Sequence, residues 1–406
     1  MVACDYSKSN YGMSYSSSEE LASVRLFRCY SDALLTFASL CCGLFMVMGI
    51  LGNLTTIIAL ARCRKVRNAT AIFIINLHIS DVIFGSLVLP MTAITFWKKQ
   101  WTHGWIMCGV YAYWKFTLNA VSIFTVLAIT INRYIIVCHP LWYPRIYKRR
   151  NITMKLILIW MFALVLFLPS YFGAWGRFDL EPNGGFCTMI QDENGNSPKK
   201  FFMCIAFVGP YLTIAICYAR IWWVVKKTAS KVRGQNPRPI RPTHLPLTHT
   251  QSETSTDGKT LISFDPASPA NSTTDDDKTP PSSANTTPCD HKTFDKYFKA
   301  PFRLTRKEIR PKAPTSRDKR LFAMIAAILL SYSLTHLPLM VTRFVYKEYK
   351  SEPYANVFAH LLGYLGTCIN PIVYVLMSNE YRHAYRSLFE VIINKLWKQQ
   401  YAITRK

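Results

Sequence analysis

Lys115 and Arg133 stand 18 residues apart in one apolar stretch, each a cation where a cation is hard to place. That separation is five turns of α-helix, so the two share a face, with Asn119, Ser122, Val126 and Ile129 between them on it. Such a helix holds two charges about 27 Å apart and could carry a signal across a bilayer. The plainer alternatives are that Lys115 snorkels to an interface and that Arg133 is a boundary anchor.

Asn53, Asp81, Ser122 and Asn370 fall at similar depths in four different apolar stretches. Polar groups in hydrocarbon are costly, which makes them candidates for function. They suggest either one hydrated polar pocket or a hydrogen-bond clamp between helices. His78 and Asp81, three apart, make with His336 and His360 the ligand set of an intramembrane zinc hydrolase on paper, against ordinary packing of the same side chains. A transporter or channel is a third class, but the chain has neither an internal repeat nor a charged pathway.

The elements that must position these residues are seven apolar segments, near 33–61, 69–96, 105–138, 152–173, 200–226, 319–346 and 355–377. Each is close to the ~20 residues a helix needs to cross a ~30 Å hydrocarbon core. Hydrophobic residues make up 50% of the chain and charged ones only 17%, which fits a membrane protein. The expected fold is therefore an all-α membrane protein, a seven-transmembrane helix bundle. Prolines 90, 169, 210, 338 and 371 interrupt five of the segments and permit kinks.

A net charge of +25 could suggest nucleic acid, but the basic residues follow the membrane edges, so no nucleic-acid partner is expected. Arg62, Arg64, Lys65 and Arg67 lie in the first loop, Arg145, Lys148, Arg149 and Arg150 in the third, and Lys226, Lys227, Arg317, Lys319 and Arg320 border the fifth. The positive-inside rule makes these loops cytoplasmic and the N-terminus extracellular. Lys98, Lys99, Arg177, Lys199 and Lys200 on the opposite side weaken the bias without reversing it. No cleavable signal peptide is evident, and the first segment can act as an uncleaved signal-anchor. Cys108 and Cys187 both face the oxidising side and are expected to form a disulfide; Cys4 and Cys29 are also outside and could pair.

The organisation expected is an extracellular N-terminus over 1–32, five helices over 33–227, a third inner loop over 228–316, two helices over 317–377 and a tail over 378–406. The 228–316 loop is rich in Ser, Thr, Pro and charge and is expected to be disordered, as a site for kinases or a plain tether. Tyr381, Tyr385, Leu388 and Ile392, with Arg382 and Arg386, describe a short amphipathic helix on the inner leaflet, so membrane lipids are partners.

In this order the motifs resemble those of the rhodopsin-like (class A) G-protein-coupled receptors. The residues that carry the resemblance are Gly52-Asn53; Asn76-Leu77-His78-Ile79-Ser80-Asp81; Trp101, Gly104, Cys108 and Asn132-Arg133-Tyr134; Trp160; Pro210 and Tyr218; Pro338; and Asn370-Pro371-Ile372-Val373-Tyr374. One such match is weak, but seven in register are specific. The resemblance implies a plasma-membrane receptor, not an enzyme, whose partners are a heterotrimeric G protein, an extracellular ligand and, as in the family, arrestin and receptor kinases. It gives Arg133 to the G protein in the active state and to Asp318 at rest. Tyr218 and Tyr374 would support the active arrangement. Asp81, Ser122 and Asn370 match an internal sodium site, the one cofactor the resemblance admits, although Gly366 stands where many members carry asparagine.

Three departures matter. Asn132 replaces an aspartate before Arg133 and removes a charge partner. Thr335-His336-Leu337-Pro338 replaces Cys-Trp-x-Pro, so His336 stands where the family keeps a tryptophan switch. Lys115 replaces the aspartate of amine receptors, which argues against an amine. Lys115, Asn119, His336 and Arg343 form the expected ligand site, and its cations suit an acidic ligand, a lipid or a carboxylate. Asn-Arg-Tyr, Cys138-His139-Pro140 and the Thr-His-Leu-Pro phrase look most like the invertebrate orphan receptors trapped in endoderm and moody, which implies directed cell migration or epithelial barrier formation.

Overall fold

The computed structural model describes residues 15, 17–27, 30–63, 68–182, 184–192, 195, 197–234, 323, 326–327, 330–339, 341, 352–377 and 379–404. Asp318, Arg343, Cys4, Cys29 and residues 235–316 lie outside these described residues.

A short helix α1 (Ser18–Ser23) precedes the first span, α2 (Asp32–Arg62). The second span is α3 (Ala69–Lys98) and the third α4 (Trp105–Cys138). A turn of helix α5 (Tyr143–Ile146) leads to the fourth span, α6 (Arg149–Leu166) and α7 (Leu168–Tyr171). An antiparallel hairpin, β1 (Arg177–Glu181) with β2 (Phe186–Ile190), follows and pairs Leu180 with Cys187. The fifth span combines α8 (Lys199–Met203), a π turn at Cys204–Val208 and α9 (Gly209–Gly234). The sixth, α10, is described over 330–339. The seventh is α11 (Pro353–Met377), and α12 (Asn379–Thr404) follows.

Local chemistry sets the ends. Ser31 Oγ accepts from the Leu34 N–H at 3.3 Å to start α2, and Asn68 Oδ1 accepts from the Ala71 N–H at 2.9 Å to start α3. Pro169 sits at the start of α7, where the fourth span breaks. The π turn ends two residues before Pro210, whose ring cannot share a regular helix with the carbonyl four residues back. Leu40, Leu44, Leu51 and Ile58 of α2 are exposed, as expected of a face turned to lipid.

Five described helices are long and apolar enough to cross a membrane: α2, α3, α4, α6 with α7, and α11. The fifth span is more basic toward its C-terminal end, where Lys226 and Lys227 lie over Trp222 and Trp223 at 4.8 and 4.7 Å. Two helices outrun the sequence expectation: α9 continues to Gly234, and α12 runs 26 residues instead of a short stretch. The expected disulfide forms between Cys108 and Cys187, with their Cα atoms 5.3 Å apart, and ties the hairpin to the third span.

Candidate functional site

Three layers of polar residues run through the bundle. In the middle layer, Asn370 Nδ2 donates to Asp81 Oδ2 at 2.9 Å, joining spans seven and two. Ser80 and Ser122 share a hydrogen bond of 3.0 Å, and Ser122 also reaches the Asp81 carboxylate. Asn53 does not complete that cluster. Its amide donates to the carbonyls of Gly49 at 2.7 Å and Thr367 at 2.9 Å, and its oxygen meets His78 Nδ1. The four residues weighed as one pocket or a clamp thus fall into two arrangements, one around Asp81 and one around Asn53 and His78. The His78 ring packs edge-on against Tyr374 at 5.3 Å. A further tie, Trp160 to Asn76 at 2.9 Å and Asn76 to Thr125 at 2.8 Å, links spans four, two and three.

The zinc arrangement does not form. His78 is taken up by Asn53 and Tyr374, His336 stacks on Tyr332 at 4.0 Å, and His360 packs on Phe186 at 5.2 Å. Among the described residues, no three His, Cys, Asp or Glu side chains converge on one point. Around Asp81 the oxygens are the carboxylate and the hydroxyls of Ser80 and Ser122, while Asn370 turns its amide N–H to the carboxylate; hard oxygens suit a cation such as sodium better than zinc.

At the inner layer, Asn132 is fully buried and donates to Thr70 Oγ1 at 2.8 Å, so it ties span three to span two. Arg133 lies close enough to Tyr143 and Tyr218 to act on both electrostatically. Tyr218 packs with Leu77, Val126 and Ile214. Tyr134 turns away to His139, with its hydroxyl 3.2 Å from Nε2. Tyr374 is buried between His78 and Tyr381 of α12, and Pro371 is buried beside Gly52 of span one. Burial raises the Tyr143 and Tyr147 phenols, on the connection between spans three and four, above their ordinary value. Thr70 is the inner residue that sequence reasoning missed, because a threonine at a helix start carries no motif.

At the outer layer, the Lys115 ammonium lies over the rings of Phe186 at 5.0 Å, Tyr111 at 5.5 Å and Tyr364 at 5.7 Å, and donates to the Tyr364 hydroxyl at 3.3 Å. Tyr111 is fixed in turn by Thr92 at 2.8 Å. Asn119, expected beside Lys115, donates back to the Lys115 carbonyl at 2.8 Å. His336 lies deeper on span six, with Nδ1 within 3.0 Å of Thr335 Oγ1 and 3.1 Å of the Tyr332 carbonyl. Of the three expected ligand residues that are described, Lys115 stands in this aromatic cage, and Asn119 and His336 do not line it; Arg343 lies outside the described residues. Phe186, Tyr111 and Tyr364 are the residues that sequence reasoning missed, and the position of Phe186 beside Cys187 was the available signal.

A model of the 7 transmembrane receptor (rhodopsin family) matches residues 52–374. The chain is 35% identical over 370 residues to the G-protein coupled receptor moody of Drosophila pseudoobscura pseudoobscura, covering 88% of this chain and 53% of that protein. It is 29% identical over 371 residues to protein trapped in endoderm-1 of Drosophila melanogaster, covering 91% and 80%. The chain spans about half the length of the moody relatives it matches. Squid rhodopsin shares the fold, with a TM-score of 0.62 at 21% identity over 90% of this chain and 88% of that one.

Proposed function

The chain belongs to the rhodopsin family of seven-transmembrane receptors, and on that premise we propose that it answers an acidic extracellular ligand by promoting nucleotide exchange on a heterotrimeric G protein. The nucleotide chemistry belongs to the G protein; the receptor shifts populations between a resting and an active bundle. The observation that carries this reading is α4, which sets Lys115 in an aromatic cage at one end and Arg133 within electrostatic reach of Tyr143 and Tyr218 at the other. A carboxylate or phosphate head suits a half-buried ammonium walled by rings, since charge-assisted bonds are about twice as strong as neutral ones.

The same reading places the protein in the plasma membrane with its N-terminus outside, with arrestin and receptor kinases as later partners. Sodium on Asp81, Ser122 and Asn370 would hold the resting bundle together. The motif resemblance to the trapped in endoderm and moody receptors motivates a part in directed cell migration or epithelial barrier formation.

The test is a panel of G-protein dissociation sensors in cells, comparing wild type with Arg133→Glu and Asp318→Ala at matched surface expression. A signal in wild type or Asp318→Ala that disappears in Arg133→Glu is expected. An equal signal from Arg133→Glu would sink the coupling assignment. For the ligand, screened carboxylates and anionic lipids should lose potency on Lys115→Ala; unchanged potency would rule out Lys115 as the acid's anchor.

A further inference from the structure

Ahead of span one, the described residues 15, 17–27 and 30 are fastened down. Tyr15, Leu21, Leu26 and Phe27 are buried. The Tyr15 N–H reaches the Asp179 carboxylate on β1. Ser18 Oγ accepts from the Trp105 N–H at the head of span three at 3.1 Å. The Leu26 N–H donates to the Lys99 carbonyl at 3.0 Å, and the Tyr30 hydroxyl accepts from Asn356 Nδ2 of span seven at 2.7 Å. These anchors stand on the hairpin, on the connection between spans two and three, and on span seven, so the segment crosses the outer mouth of the bundle.

Phe27 is the centre of this crossing. Its ring stacks on Phe96 at 5.2 Å and meets Phe186 edge-on at 5.7 Å. It fills a notch that exists only because residue 185 is glycine: a Cβ there would fall 1.9 Å from Phe27 Cε1. Phe27 itself takes a left-handed backbone, φ 57°, which an aromatic residue adopts only when its surroundings impose it. Phe186, on which Phe27 rests, is the ring 5.0 Å from the Lys115 ammonium. Phe27, Phe186 and Lys115 thus form one column from the outer surface to the cage.

We propose that this segment is a resident lid on the Lys115 cage, latched by Phe27 in the Gly185 notch, and that a water-borne ligand reaches Lys115 only when the latch opens. The inference builds on the assignment of the cage as ligand site, yet it concerns access alone, and its test uses no ligand and no G protein. Failure of the acidic-ligand reading therefore leaves the test standing, and failure of the lid leaves that reading standing.

The experiment labels a Lys115→Cys receptor on intact cells with a membrane-impermeant cationic methanethiosulfonate. The same receptor without that substitution sets the background from native cysteines. N-ethylmaleimide, which is permeant, verifies that the introduced thiol reacts. The open form of such an equilibrium is a minority of about 0.1–10%, so removing the latch by Phe27→Ala should speed impermeant labelling by about tenfold or more. Gly185→Ala, which expels the ring from the other side, should do the same; if it fails to reach the surface, Phe27→Ala decides alone. Equal rates with and without Phe27, or no impermeant labelling in any background while N-ethylmaleimide reacts, would overturn the lid.

Discussion

His336 and Gly366 fit one another across spans six and seven. A Cβ on Gly366 would lie 3.2 Å from His336 Cε1 and 3.0 Å from Thr335 Oγ1. Two departures from the family pattern, the missing tryptophan and the missing asparagine, are therefore one compensated arrangement: the helices approach here because span seven has no side chain to interpose.

Gly366→Asn should strain this contact and destabilise the receptor by about 1–3 kcal/mol, the usual range for overpacking. Thermal midpoints of purified protein would measure it. Combining Gly366→Ala with His336→Ala should show a coupling of about 0.5 kcal/mol or more. Strict additivity would mean that the two residues do not share space.

Asn132→Asp should lower ligand-independent signalling. It returns a carboxylate to the position before Arg133 and leaves Thr70 able to hydrogen-bond it. An ion pair worth about 1 kcal/mol moves a two-state population about fivefold. Basal G-protein dissociation at matched surface expression reads the change, and a rise would show that Arg133 is not held at rest through its neighbour.

Removing the Cys108–Cys187 bridge opens a loop spanning a sequence separation of 79 residues. On chain-entropy grounds the loss is about 4 kcal/mol. Cys108→Ala and Cys187→Ser should each reduce surface expression and thermal midpoint to a similar degree, because either one removes the same constraint.

His103, on the loop before span three, packs edge-on against Trp101 at 4.9 Å. Burial holds its imidazole below the ordinary 6.5, the Met91 carbonyl pulls it back up, and Lys98 lowers it further. The folded state therefore binds this proton less readily than the unfolded chain. Its contribution is complete above 6.5 and is lost as pH falls from there through the lowered folded value. Thermal midpoints should fall over that window in wild type, and His103→Gln should flatten the fall; an unchanged slope would assign it to other groups.

Sodium chloride should raise the thermal midpoint more than choline chloride at equal ionic strength, and Asp81→Asn should remove the difference. The carboxylate is the one full negative charge in the set made by Asp81, Ser80, Ser122 and Asn370. A sodium effect that survives Asp81→Asn would place the ion elsewhere.

The apolar stretches, the Cys108–Cys187 pair and the family motifs were legible in the residues themselves. Hydrocarbon span is a sum over neighbouring side chains, and motif spacing is likewise a property of the linear chain. Ser31 and Asn68 mark helix starts for the same local reason. The choice of partner was not legible. Asn53 could have joined Asp81 but bonds His78 and the carbonyl of Thr367, 314 residues away. Asn119 could have faced Lys115's head and bonds its backbone instead. The N-terminus read only as an extracellular segment over 1–32, yet Phe27 packs over the cage, because the notch it fills exists only once the hairpin and span two have met. A sequence sets which side chains are available to a face; which donor meets which acceptor, and which ring fills which gap, is settled by how the faces pack.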